Sequence, residues 1–186
     1  MTQSPYTVDV DTNLSTQFLE KNAWLVILHA SRIPPHIGVL INATYNSLTI
    51  KGHELNISLA VLQKTIQQKK IETLFIPLKK HPVFSLSYQF EILQYHIQQF
   101  TQVNQSTTCL SPVKLFLQEF YAIPFNENEL LFELMERLKQ NDYIEKGIAL
   151  NLKQTLTAPQ EFTLPMYNIT QLQEVIKNER AIYYKD

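Results

Sequence analysis

Apolar and polar positions alternate with two different periods along this chain, and the period changes mark the elements. Trp24 to Leu28 is an unbroken apolar run, read as a strand buried on both faces. Ser31-Arg32-Ile33-Pro34-Pro35 breaks it, because two prolines cannot join a sheet interior. His36 to Ile41 is a second strand, Asn42 to Asn46 a hairpin loop, and Ser47 to Lys51 a third strand with polar/apolar alternation. That loop puts His36 opposite Lys51 or its neighbours. Asn56 or Ser58 caps a helix carrying Leu59, Leu62 and Ile66, with Lys69 and Lys70 at its C-terminal end. Ile71 to Leu78 is a further strand, placed at an edge or given a bulge by Pro77.

The second half reads as mainly helical. Ser85 or Ser87 opens a helix with Leu86, Phe90, Leu93, Ile97 and Phe100. Ser111 is a good N-cap and Pro112 suits the first helical position; Val113, Phe116, Leu117 and Phe120 then repeat at i, i+3, i+4 and i+7. Asn126 with Glu129 starts a helix carrying Leu130, Leu131, Leu134, Met135 and Leu138. Gly147–Leu152 is a candidate short strand. Thr170 to Gln173 has the capping-box pattern, with Ile169 before it, and a last amphipathic helix runs to Arg180. Residues 1–12 read as a flexible lead-in, and Asn13 to Asn22 as a short helix with Leu14, Phe18 and Leu19 apolar.

Composition narrows the function classes. With 186 residues, 45% of them hydrophobic, the expectation is one domain with a sizeable core. A net charge of −1 gives no electrostatic footprint for nucleic acid or an anionic membrane. One cysteine excludes an internal disulfide and a thiolate-rich zinc site, and no metal is expected. Three glycines, none in a phosphate-cradling loop, give no expectation of a nucleotide or other cofactor. The polar N-terminus lacks a signal-peptide pattern and no apolar run is as long as a membrane span, so a cytoplasmic protein is expected. The last amphipathic helix is a candidate homodimer contact, or packs on its own domain.

Candidate chemistry centres on Cys109, just ahead of a buried helix, where the dipole favours a thiolate. A small buried structural cysteine is the other reading of that position. A thiol nucleophile needs an imidazole and a group to orient it. His36 opens a strand before Ile37-Gly38-Val39, where the glycine leaves room on one face. His29 ends the first strand, His53 follows the third, His81 sits in a loop and His96 on a helix.

The order strand, His36-Ile37-Gly38-Val39-Leu40-Ile41, hairpin strand, helix, strand and then Thr108-Cys109-Leu110-Ser111 before an aromatic tail resembles the circularly permuted papain-like hydrolases. These include the YiiX-like permuted NlpC-type bacterial enzymes and the lecithin–retinol acyltransferase relatives. The resemblance covers residues 23–122, with 126–186 a helical extension. It implies an α+β fold, with a small antiparallel sheet packed on the cysteine helix and extra C-terminal helices. It further implies that Cys109 is the nucleophile, that His36 is the general base, and that a third, orienting position falls near Thr49, with His53 the substitute if the register slips. The substrate implied is a peptide-like or acyl compound with an amide or ester bond. A degenerate domain that binds a partner is the alternative.

Overall fold

A computed structural model describes residues 5–12, 19–124, 126, 128–152 and 160–183. The fold is α+β. The strands are β1 (Thr7–Asp11), β2 (Trp24–Leu28), β3 (His36–Ile41), β4 (Thr44–Thr49), β5 (Gly52–Ser58), β6 (Thr73–Pro77), β7 (Gly147–Leu150) and β8 (Glu161–Thr163). The helices are α1 (Leu59–Gln68), α2 (Leu86–Gln98), α3 (Leu110–Tyr121), α4 (Leu131–Gln140) and α5 (Ile169–Tyr183). One open sheet holds all eight strands in the order β5-β4-β3-β2-β6-β7-β1-β8. It is larger than the small antiparallel sheet expected, and its β1–β7 pair is parallel.

The extra strands come from both ends of the chain. Val8 and Val10 point to one face of β1 and are buried, so the expected lead-in is a strand from Thr7 to Asp11. It lies between β7 and β8, which are the C-terminal segment's own contribution to the sheet. Leu14 and Phe18 of the short helix expected before β2 lie outside the described residues; Leu19 is buried.

Two apolar layers flank the sheet. Leu25, Ile27, Ile37, Val39 and Leu74 pack with Phe116, Leu117 and Met135 on one side. Val26, Leu40, Tyr45 and Phe75 pack with Leu59, Leu62 and Ile66 of α1 on the other. Central β2 is antiparallel to both neighbours and buried on both faces. Pro77 sits in the sheet interior, not at an edge. Leu78 N–H donates to Ala23 O, so the Trp24–Pro77 pair is a non-hydrogen-bonded one and the proline nitrogen faces away from β2. On the other side the β6–β7 ladder stops at Phe75 and pairing resumes at the Leu78–Ile144 bridge one residue out of register, so Pro77 falls in an irregular stretch where its missing N–H is not needed.

The β3–β4 turn is tighter than the five-residue loop expected. Asn42 (φ 51°) and Ala43 (φ 57°) both adopt the left-handed conformation of a two-residue type I′ turn. Strand β4 therefore starts at Thr44 and pairs Gly38 with Ser47. The space left by Gly38 is filled from within. A β-carbon there would meet the Tyr45 ring at 2.5 Å, and that ring is buried and cannot swing aside. Gly38→Ala is expected to lower unfolding free energy by about 1–3 kcal/mol through overpacking, measured by urea denaturation.

The caps follow local hydrogen bonding. Ser58 and Ser85 cap α1 and α2 through their side chains. An Asx turn at Asn126 precedes α4, whose first turn is closed by Glu133 accepting from Leu130 N–H at 2.7 Å. For α5 the capping box lies two residues earlier than expected: Asn168 and Gln171 exchange side-chain-to-backbone bonds, each at 2.9 Å. Leu172 and Ile176 of α5 are buried against the same domain. Among the described residues, no helix is long and apolar enough to cross a membrane.

Candidate functional site

Helix α3 begins two residues earlier than the Ser111 cap expected from sequence would place it, at Leu110. Thr108 Oγ1 accepts from Leu110 N–H at 3.2 Å, and Ser111 Oγ accepts from Thr108 N–H at 3.0 Å. This reciprocal pair ties off the free amides at the helix start. Cys109 between them has helical dihedrals (φ −59°, ψ −21°) and so belongs to the first turn. Its backbone is fixed by its neighbours, and its side chain packs against the core beneath α3. Burial pushes the Cys109 thiol up, opposed by the amide N–H groups of Ile37, Cys109 and Leu110, which face the sulfur. Near neutral pH the group is a thiol held among amide donors.

His36 is the first residue of β3. Its Nε2 lies 3.2 Å from Ser47 Oγ, and Ser47 Oγ donates to Glu54 Oε2 at 3.0 Å. Ser47 and Glu54 are direct cross-strand partners, which sets this spacing. A hydroxyl has one proton, and an ionised carboxylate can only accept. Ser47 therefore gives its proton to Glu54 and accepts from His36 Nε2–H. That assigns the tautomer and leaves Nδ1 unprotonated. Burial lowers the His36 pKa to about 4, with His29 adding to the shift, so the ring is neutral near pH 7.

Of the other predicted residues, Thr49, His53, His81 and His96 have hydrogen-bond partners of their own. Continuing the Gly38–Ser47 register brings Thr49 opposite His36. Thr49 Oγ1, however, donates to Gly52 O at 3.0 Å and accepts from Lys51 N–H at 3.1 Å, closing its own turn. His53 is exposed, and its Nε2 bonds the Phe100 carbonyl. His81 Nδ1 accepts from Val83 and Phe84 N–H in its loop, and His96 pairs with Glu119 at 2.7 Å.

Glu54 was not anticipated, because Gly52–Ser58 was not read as a strand. A signal was present. Gly52 takes φ 115°, the kind of turn position glycine favours, and Leu55 and Ile57 then alternate as on a half-covered edge strand.

Cys109, His36, Thr49 and His29 all line one cavity of about 990 Å³, and His53 does not. It is lined by the start of β3, the end of β4 and the start of α3. Tyr167 and residues of α5 also line it. Strand alternation sends Ile37 toward α3 and His36 toward the Ser47 side of the sheet, and both residues line the cavity. Among the described residues, no group of three or more His, Cys, Asp or Glu side chains is placed to hold a metal ion. Compared with protein-family models, curated proteins and solved structures, the chain matches none.

Proposed function

We propose that this chain is a cysteine-dependent hydrolase or acyltransferase with a permuted papain-like arrangement, acting on an amide or ester through Cys109 and His36. One observation supports the reading: Cys109 and a histidine whose tautomer is fixed by Ser47 and Glu54 line the same cavity. Both groups are neutral at rest, so the pair works by general base catalysis and not from a preformed ion pair.

Cys109 Sγ bonds to the substrate carbonyl carbon as its proton passes to His36 Nδ1. The carbonyl oxygen takes up negative charge, for which the amides around the sulfur are donors. Breaking of the C–N or C–O bond passes the His36 proton to the leaving atom and leaves a thioester. Water or a second acceptor then attacks the thioester, gives a proton to His36 and restores the thiol. Glu54 acts through Ser47 as a positioning residue, in place of the directly bonded residue expected near Thr49.

A second reading, a binding module built around the same cavity, is favoured by the alternation that turns His36 to the opposite side of the sheet from the α3 core. Reaction with p-nitrophenyl acetate separates the two. For the enzyme, acetyl transfer to Cys109, followed by mass spectrometry, is expected to slow about 10²–10⁴-fold in His36→Ala. Equal and slow acetylation in parent and variant would sink the enzyme reading and leave the binding module.

A further inference from the structure

Two histidines stand where β2 ends and β3 begins. Leu28 pairs with His36 across the β2–β3 ladder, so His29 is the next residue along, and both histidines line the cavity with Cys109. Their rings differ in what they already hold. His36 Nε2 meets Ser47, and the rings of His53, His81 and His96 each bond a group of their own. Among the described residues the His29 ring has no hydrogen-bond partner, although the residue is partly buried. Of the five histidines it is the one with both ring nitrogens uncommitted.

The backbone at His29 points the same way. It takes φ 52°, and its carbonyl accepts from Arg32 N–H at 2.8 Å, closing a tight turn. Glycine would adopt that left-handed conformation without strain, whereas a histidine there keeps an imidazole at the cost of a strained backbone. Burial, and then the Arg32 guanidinium, hold the ring below the usual histidine range, so it is neutral near pH 7. A neutral imidazole offers one N–H donor and one acceptor nitrogen. Such a ring suits a neutral partner that carries both an N–H and a C=O in fixed directions, which is a secondary amide. The cavity has room for one. Its volume of about 990 Å³ is at the upper end of the roughly 300–1,000 Å³ of small-molecule sites. Asn104, Ser106 and Thr108 line it as well as Ile37, Leu130 and Leu172, a mixed surface that fits a peptide-like chain.

We propose that His29 is a substrate-recognition residue, whose ring hydrogen-bonds an amide in the acyl part of the substrate. This rests on the acyl-transfer reading above. It narrows the substrate class from acyl compounds in general to acyl groups that carry an amide beside the reactive carbonyl.

The test uses two esters of matched length. N-acetylglycine p-nitrophenyl ester and p-nitrophenyl pentanoate both acylate a thiol and release p-nitrophenol, and only the first carries an amide in its acyl chain. The ratio of their rate constants at Cys109 cancels the acidity of the thiol and the help given by His36. Division by the same ratio for 2-mercaptoethanol removes the intrinsic difference between the esters. At about pH 7.5, where His29 is neutral, the parent ratio is expected to exceed that baseline about fivefold, the worth of one hydrogen bond. It should fall to the baseline in His29→Gly, which accepts the left-handed backbone and removes the ring. A parent ratio equal to the baseline overturns the proposal, as does a His29→Gly ratio as high as the parent's. If neither ester acylates Cys109, or His29→Gly does not fold, the ring ¹⁵N resonances of His29 in the parent decide. A shift with N-acetylglycine methyl ester and none with methyl pentanoate supports the proposal, and equal responses overturn it. His36→Ala slows both acylations together and leaves their ratio unchanged. The enzyme reading and the amide-recognition reading can therefore fail separately.

Discussion

Phe116→Ala is expected to lower the unfolding free energy by about 3–5 kcal/mol, measured as a fall in urea midpoint at unchanged slope. Phe116 is fully buried on α3, in the core formed with the inner faces of β2, β3 and β6. Its ring stands 5.0 Å from that of Phe120, centroid to centroid. Removal forfeits the transfer free energy of the ring and leaves a cavity that the rigid sheet cannot collapse to fill. The consequence reaches the site, because α3 holds Cys109 in its first turn. A loosened helix should expose the thiol, so iodoacetamide should alkylate Phe116→Ala faster than the parent under native conditions. A loss below about 1 kcal/mol would mean that α3 is not anchored on the sheet in the way described here.

How much was legible in the sequence follows from where the pattern is set by burial. The apolar run Trp24–Leu28 and the stripe Val113, Phe116, Leu117, Phe120 lie against the core, and the sequence reading found both elements. The edge and end strands were missed. Strand β1 is five residues with one buried face, and β8 is three; neither is long enough for period-two alternation to stand out. Their partners are distant in sequence, so nothing local announces the pairing. Helix starts moved by one to two residues where two side chains compete for a cap: Thr108 with Ser111, and Asn168 with Thr170. The elements that carry Cys109, His36 and Thr49 were readable because they are well patterned. The Ser47–Glu54 link was not, since it depends on a register shift in the β4–β5 pair between Tyr45 and Ser47.

The second large effect concerns pH. His36 has a pKa of about 4 in the folded protein because burial, and then His29, disfavour its charge; in the unfolded chain the ordinary value is about 6.5. Between these values the unfolded chain binds the proton and the folded one does not, so acid favours unfolding. The contribution of His36 is complete above pH 6.5 and is lost as pH falls through 6.5 to 4, by about 3 kcal/mol in all. His36→Gln keeps an N–H donor for Ser47 and removes the titration. The difference in unfolding free energy between parent and His36→Gln should therefore shrink, by that amount in the variant's favour, as pH is lowered from 7 to 4. Subtracting the two curves cancels the carboxylates and His29, which titrate in both proteins. A difference that stays flat would mean that His36 reaches solvent and can ionise freely. The neutral, proton-accepting ring on which the proposed chemistry depends would then be lost below pH 6.5. A difference that follows the expected curve would keep that ring in its basic form down to about pH 4 and leave the Cys109 thiol as the group that limits reaction at neutral pH.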